Sequence, residues 1–155
     1  MSDPASTALL FQIADQRYAL NVSQITEIVP AVNLRKIPGA PDYVAGVFNF
    51  RGTLVPVIDL GIMIAGSRAP HFFSTRIVLV SYKGRLRGSR TLGLLVERAI
   101  SVVADEFGEP SSAGVSTPAS PYLGKIAMSS SDSVQFVSVE SLIPDSLQEI
   151  LFVDT

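Results

Sequence analysis

The chain has no cysteine among its 155 residues. A disulfide framework, a thiolate zinc site and a cysteine nucleophile are thereby excluded. Histidine occurs once, at His71, so no multi-histidine metal centre can form, and a Ser-His-Asp triad would have to run through that one residue. Charge is scarce too. Only 17% of residues are Asp, Glu, Lys or Arg, below the ~25% usual for soluble domains. Twelve basic residues face 14 acidic ones, a net charge of −2, with a pI near 5.3. Nucleic-acid binders usually carry a basic face, so no nucleic-acid partner is expected. Every uninterrupted apolar run falls far short of the ~20 residues that span a bilayer, which argues against direct membrane insertion. The opening MSDPASTALLFQ has no basic region before its short apolar stretch, so no signal peptide is expected and the cytoplasm is the default compartment. No Walker-type or G-x-G-x-x-G loop is found, which leaves nucleotide binding without a motif.

What the chain does have is apolar residues: 47% of the total, with a mean hydropathy of +0.37. That surplus suggests apolar surface reserved for a partner. A chain of this length buries roughly two thirds of its unfolded surface, enough for one domain or for two small barrels sharing a core. Leu9, Phe11 and Ile13 alternate with Leu10 and Gln12, the period of a half-buried strand. After a short turn at Asp15-Gln16, Arg17 to Asn21 reads as a second strand and Ile25 to Val32 as a third, ended by the proline-containing IPGAP stretch.

The segment GVFNFRGTLVPVIDL is the most informative. Runs at Gly46–Phe50 and Thr53–Ile58 flank Arg51-Gly52, a hairpin in which Gly52 supplies the positive φ of a tight turn. Pro56 implies an edge or a bulge. Asp59 is placed to cap a short helix through Ala65, closed by Gly66. Beyond a Ser/Arg/Pro-rich stretch at 67–74, Arg76 to Tyr82 forms a strand. Thr91 to Val103 is a long apolar run interrupted by Glu97 and Arg98, where it bends or passes between sheets. Residues 105–121 read as a long irregular connection, Val134 to Val139 as the last strand, and Ser146-Leu147-Gln148-Glu149 as the capping box of a helix following Pro144. About ten short strands with few helices make an all-β barrel or sandwich.

At GVFNFRGTLVPVIDL the chain resembles a CheW-type domain, the adaptor of bacterial chemotaxis-like signalling arrays. The opening LLFQIADQRYALNVSQITEIV is similar to the family's first hairpin and V-x-E-I strand, here Ile25-Thr26-Glu27-Ile28. LGLLVERAISV and YLGKIAMSSSDSVQFVSVESLI are similar to two later family segments. Four segments in order, from about Leu9 to Ile143, are more specific than any one of them. The resemblance implies a single CheW-like domain over residues 7–155, with 1–6 a flexible N-terminus. It implies two five-stranded SH3-like β-barrels packed on a shared core with short helices, no catalysis, no cofactor and no metal. It implies a scaffold joining the cytoplasmic tips of methyl-accepting chemotaxis-type receptors to the regulatory domain of a CheA-type histidine kinase, recruited to membrane receptor arrays. Phe50 where leucine is usual, Glu97 where aspartate is common, the serine-rich 128–133 loop and the basic 83–90 loop depart from the pattern.

Six residues are the receptor-binding candidates. Arg51, by itself a solvated turn residue, offers five donors in a planar fork suited to carboxylates and helix C-terminal carbonyls, and the resemblance gives it a role in receptor coupling. Glu27 lies in an apolar strand, where a carboxylate is edge-exposed or paired; the resemblance pairs it with Arg51, and a buried pair would cost ~3–5 kcal/mol to break from one side. Ile25, Gly46 and Val102 match family positions that affect receptor coupling. They read equally as a core isoleucine, a glycine demanded by backbone geometry, and a core valine. Asn49 either satisfies backbone groups at the turn or meets a partner. No kinase-binding residue is assigned. Lys83, Arg85, Arg87 and Arg90 read as a solvated hairpin tip, His71 as a surface residue, and Asp105, Glu106 and Glu109 as solvated acids rather than a hydrolytic pair. Two rival readings stay open. One is a paralogue of the same fold with a system-specific or inhibitory role, and the other is a small-barrel ligand- or nucleic-acid-binding module.

Overall fold

The computed structural model describes residues 7–66, 75–83, 88–97, 101–104, 123–128 and 133–152. The expectations for residues 1–6, His71 and its linker, Arg85, Arg87, Arg98, the 105–121 connection and the 129–132 loop lie outside them. Ten strands, β1 (Thr7–Ile13), β2 (Gln16–Asn21), β3 (Ile25–Pro30), β4 (Val44–Phe50), β5 (Thr53–Asp59), β6 (Arg76–Tyr82), β7 (Arg90–Val96), β8 (Ser101–Ala104), β9 (Leu123–Met128) and β10 (Ser133–Val137), are joined by two short helices, α1 (Leu60–Ala65) and α2 (Asp145–Leu151). They form two five-stranded sheets ordered β8-β1-β2-β10-β9 and β3-β6-β7-β5-β4. The architecture is all-β, with two SH3-like barrels.

Alternation along β1, β2, β5, β6 and β7 explains how short strands serve three cores. In the second sheet Val78, Val80, Tyr82, Leu92, Leu94, Val96 and Ile58 face the first sheet's Leu9, Phe11, Ile13, Tyr18 and Leu20, and together they make the inter-barrel core. The alternate residues Ile77, Leu79, Val55, Val57 and Leu95 fill the second barrel's own interior. Ala8, Leu10, Ala19 and Val134 do the same for the first. Strand β1 is therefore buried on both faces over residues 8–11, rather than half-buried. Gly93 in β7 leaves no room for a side chain: a Cβ there would lie 2.9 Å from Val57 Cγ2 of β5 and 3.0 Å from Ile77 Cγ2 of β6.

The run from Thr91 to Val103 passes between sheets, as one of its two readings required: β7 belongs to the second barrel and β8 to the first. Asp59 caps α1, its Oδ1 accepting from the Ile62 amide at 3.2 Å, and Gly66 ends it at φ 74°. Pro56 occupies the part of β5 paired with β4 alone, ahead of the three residues that pair with β7.

Several boundaries move. The first turn is Ala14-Asp15, with Ala14 at φ 54° and Gln16 already paired with Ile13. Strand β3 stops at Pro30 rather than Val32, because the chain there leaves β6 and crosses to β4. Arg35 N donates to Val47 O at 2.9 Å, and Val47 N to Arg35 O at 2.8 Å. The last strand ends at Val137, and Val139 begins a 3₁₀ turn. The capping box does not form. Pro144 takes the N-cap position of α2, and Gln148 instead turns its amide back onto Ile143 O and Asp145 Oδ1, each at 3.2 Å.

Candidate functional site

The hairpin between β4 and β5 closes through two residues, with Phe50 opposite Thr53. Both central residues have positive φ, Arg51 at 52° and Gly52 at 88°, as the favoured two-residue hairpin turn demands. Glycine adopts this without penalty, but a long side chain at the first position does not, and Asn or Asp is the usual choice. Three neighbours hold the turn. Asn49 Oδ1 accepts from the Gly52 amide at 2.8 Å. The Arg51 guanidinium lies 4.6 Å from the centroid of the Phe50 ring, a cation–π distance. Arg51 Nη2 donates to Glu27 Oε2 at 3.1 Å. Phe50 is itself braced edge-on by Phe48, centroids 6.1 Å apart, and both pack on the second barrel's interior.

The ion pair has a topological role. Strands β3 and β4 are the two edges of the second sheet. The Glu27–Arg51 contact ties β3 to the β4–β5 turn, and the Arg35–Val47 bridge ties the segment after β3 to β4. The pair itself is open to water, with the side chains of Arg51 and Glu27 72% and 37% exposed. The stability cost of a buried pair therefore does not apply, and an exposed pair contributes about 0–1 kcal/mol.

A bulge in β3 sorts its side chains. Ile25 pairs with Val80 but Glu27 with Leu79, so Thr26 is the extra residue, and its hydroxyl donates to Leu79 O at 3.1 Å. The slip puts Ile25 and Ile28 on the face of Val80 and Val78, which is the inter-barrel face. Glu27 and Val29 fall on the face of Leu79 and Ile77. Ile25 is half-buried against the inter-barrel core, while Ile28 remains 39% exposed. Leu54, on the same face of β5 as Ile58, is 70% exposed. Neither Ile28 nor Leu54 was a sequence candidate. Ile28 stood next to Glu27 in the motif, but simple alternation cannot reveal a bulge.

The structure thus brings Arg51, Glu27 and Asn49 together and puts Ile25 on the same strand as Glu27. Gly46 lies five residues before Arg51, in β4, at φ 145°, where a Cβ would sit 2.6 Å from Arg35 O and 2.9 Å from Leu34 Cβ. It is the point where the crossing segment presses on β4. Val102 is in the other barrel, in β8 opposite Leu9. On the far side of the crossing segment lies a cavity of about 450 Å³, lined among others by Leu34, Ala45, Asp59, Ile62 and Leu95; none of the six candidates lines it. Among the described residues no three His, Cys, Asp or Glu side chains converge to hold a metal, and no helix is long and apolar enough to cross a membrane.

Residues 7–147 match the model of the CheW-like domain. The chain is 26% identical over 149 residues to the chemotaxis protein CheW of Klebsiella aerogenes, covering 94% of this chain and 85% of that one. It is 29% identical over 105 residues to that of Bacillus subtilis, covering 68% and 64%. Its fold superposes on the crystal structure of the scaffolding protein TtCheW from Thermoanaerobacter tengcongensis with a TM-score of 0.75 at 24% identity, over 90% of this chain and 88% of that one. The chain belongs to the CheW-like domain family.

Proposed function

We propose that this protein is a non-enzymatic adaptor in bacterial chemotaxis-type signalling, coupling the cytoplasmic tips of chemoreceptor-type proteins to the regulatory domain of a CheA-type histidine kinase. It acts in the cytoplasm and is recruited to membrane receptor arrays. Its membership of the CheW-like family supports the adaptor reading. The geometry that carries it at the residue level is Arg51, which stands in a left-handed backbone conformation that asparagine or glycine would occupy at less cost, yet is held by Asn49, Phe50 and Glu27 while its guanidinium stays exposed. A turn residue that merely faced solvent would need no such support. Strain retained by surrounding contacts points to function.

In this reading the receptor's helical hairpin lays an apolar stripe against Ile25, Ile28 and Leu54 and a carboxylate or helix-end carbonyl against Arg51. Glu27 and Asn49 position Arg51 rather than meeting the partner first. Gly46 acts through the crossing segment, and Val102 through β8. The kinase joins elsewhere, so that two weak contacts gain strength from avidity in an array.

The test is titration of the purified protein against its own system's receptor tips and kinase regulatory domain, with Arg51→Ala in parallel. The expected result is that wild type binds both and Arg51→Ala loses the receptor, by about tenfold or more, while keeping the kinase. Binding to neither by wild type would overturn the adaptor reading. Equal loss of both partners by Arg51→Ala would overturn the site assignment.

A further inference from the structure

Strand β4 ends in Phe48-Asn49-Phe50, so the two rings share one face and Asn49 takes the other. Both rings pack against the second barrel's interior, and they meet edge-on, 6.1 Å apart with planes at 62°. Phe50 is thus steadied on one side by Phe48 and by the barrel. Its face is turned to the Arg51 guanidinium, whose carbon lies 4.6 Å from the ring centroid. Bulk alone does not call for a ring here, since a leucine fills an interior without offering a π face.

The ring does something that the other two contacts of the turn do not. Asn49 bonds the Gly52 amide and so shapes the backbone. Glu27 takes a hydrogen bond from Nη2 at 3.1 Å, the one hydrogen bond the guanidinium makes among the described residues. An exposed ion pair of this kind is weak by itself, because ordering two long side chains offsets its Coulomb gain. A second carboxylate or a carbonyl would hold the cation harder, but each would occupy N–H donors of the fork. An aromatic face attracts the cation through its quadrupole and brings no acceptor oxygen to occupy those donors. Arg51 is thereby held while most of its five donors stay on offer, in a side chain that is 72% exposed.

We propose that Phe50 is a positioning residue of the receptor site: its ring holds the Arg51 guanidinium in place and leaves the N–H fork to an acceptor on the partner. This role rests on the receptor-coupling function proposed for Arg51. It makes the aromatic character of residue 50, and not its volume, a determinant of receptor affinity. The ring contact also offsets part of the strain of the left-handed turn position that Arg51 occupies.

Two measurements on the full chain test this. In proton NMR of the free protein, ring current should move the Arg51 Cδ and Nε protons upfield of their positions in the urea-unfolded chain. Phe50→Tyr should keep that shift and Phe50→Leu should abolish it. In titrations with its own system's receptor tips, Phe50→Leu should weaken binding about 2- to 5-fold, the range of an exposed cation–π contact. Phe50→Tyr should bind like wild type, and both variants should keep their affinity for the kinase regulatory domain. In an Arg51→Ala background, Phe50→Leu should cost nothing further. Unshifted Arg51 protons in wild type would overturn the proposal, whether or not Phe50→Leu folds. Receptor binding weakened by Arg51→Ala but not by Phe50→Leu would overturn it alone and leave the Arg51 site standing. The same loss from Phe50→Leu with and without Arg51 would show a residue that only packs, and overturn it as well. Receptor binding unchanged by Arg51→Ala would overturn the site reading, and this proposal with it.

Discussion

Replacing Gly46 with alanine should be among the most damaging single-methyl changes in this protein, for reasons that can be summed from the structure. The new Cβ would lie 2.6 Å from the Arg35 carbonyl oxygen, 2.9 Å from Leu34 Cβ and 3.0 Å from the Arg35 carbonyl carbon. That oxygen cannot swing aside freely, because it accepts from the Val47 amide at 2.8 Å while the Arg35 amide donates back at 2.9 Å. Relief therefore breaks one or both bonds, each with a net contribution of about 0.5–1.5 kcal/mol. A φ of 145° adds about 1–3 kcal/mol of backbone strain in a residue with a side chain. The expected loss is about 3 kcal/mol, or roughly 6–12 °C in Tm for a chain of this size. Urea unfolding followed by far-ultraviolet circular dichroism measures it, with Gly52→Ala as the control. Gly52 also has positive φ, 88°, but nothing lies within 4 Å of its would-be Cβ, so only the strain of about 1–2 kcal/mol remains. A Gly46→Ala protein within 0.5 kcal/mol of wild type, or a Gly52→Ala protein that loses more than Gly46→Ala, would refute the claim that the crossing segment is what requires this glycine.

Glu27→Ala should change unfolding stability by less than about 1 kcal/mol, because the Arg51 pair is exposed, and the small effect should shrink at high salt; urea titrations at two ionic strengths check this, and a loss near 3 kcal/mol would mean the pair is buried in solution. Its binding defect toward receptor tips should exceed its stability defect, since Arg51 loses its only charged support seen among the described residues. Tyr82 should make stability fall in alkali. Burial first, then the Glu140 and Asp145 carboxylates, push its hydroxyl up to about 12 from an ordinary 10.0. Below pH 10 the proton is bound in both states and stability is unaffected. Between pH 10 and 12 the unfolded chain releases the proton that the folded chain keeps, so this residue's contribution falls by about 1.4 kcal/mol per pH unit. Other tyrosines and lysines titrate there as well, so the measured quantity is wild type minus Tyr82→Phe across pH 9–12; parallel curves would refute it.

Where the sequence was legible, one local rule governed the outcome. Arg76–Tyr82 is a short run rich in β-branched and apolar residues and forms β6 with those bounds, and Asp59 and Gly66 bracket α1 because an aspartate cap and a left-handed glycine act within one turn of themselves. The hairpin at Arg51-Gly52 was legible for the same reason. Long-range competition decided the cases that moved. Ala31 and Val32 continue an apolar run, but Arg35 is claimed by Val47 across the barrel, so β3 yields at Pro30. Ser146 and Glu149 have capping-box spacing, yet Pro144, with its fixed φ, starts the helix two residues earlier and leaves Ser146 inside the first turn. Leu10 reads as the minor face of β1 until the first barrel supplies its own small core.

The candidate site divides along the same line. That Arg51 and Glu27 meet across 24 residues of sequence came from family resemblance and not from spacing. Its physical cause is visible only in the closed barrel, where the two edge strands curl together. The exposure of the pair, and hence its small contribution to stability, has no sequence signal. The Thr26 bulge is the decisive hidden feature. Without the slip, Ile25, Glu27 and Val29 would share one face, and the strand would have to bury its carboxylate with its isoleucine or expose both. With it, one six-residue strand gives Glu27 to the barrel mouth, where it steadies Arg51, and Ile25 and Ile28 to the seam between barrels, where apolar surface is left uncovered. The carboxylate that steadies the hairpin's cation and an apolar lip thereby come from the same short stretch but from opposite faces of the sheet. Under the function proposed above, a partner helix would meet charge and apolar contact at once without either group being buried against its nature.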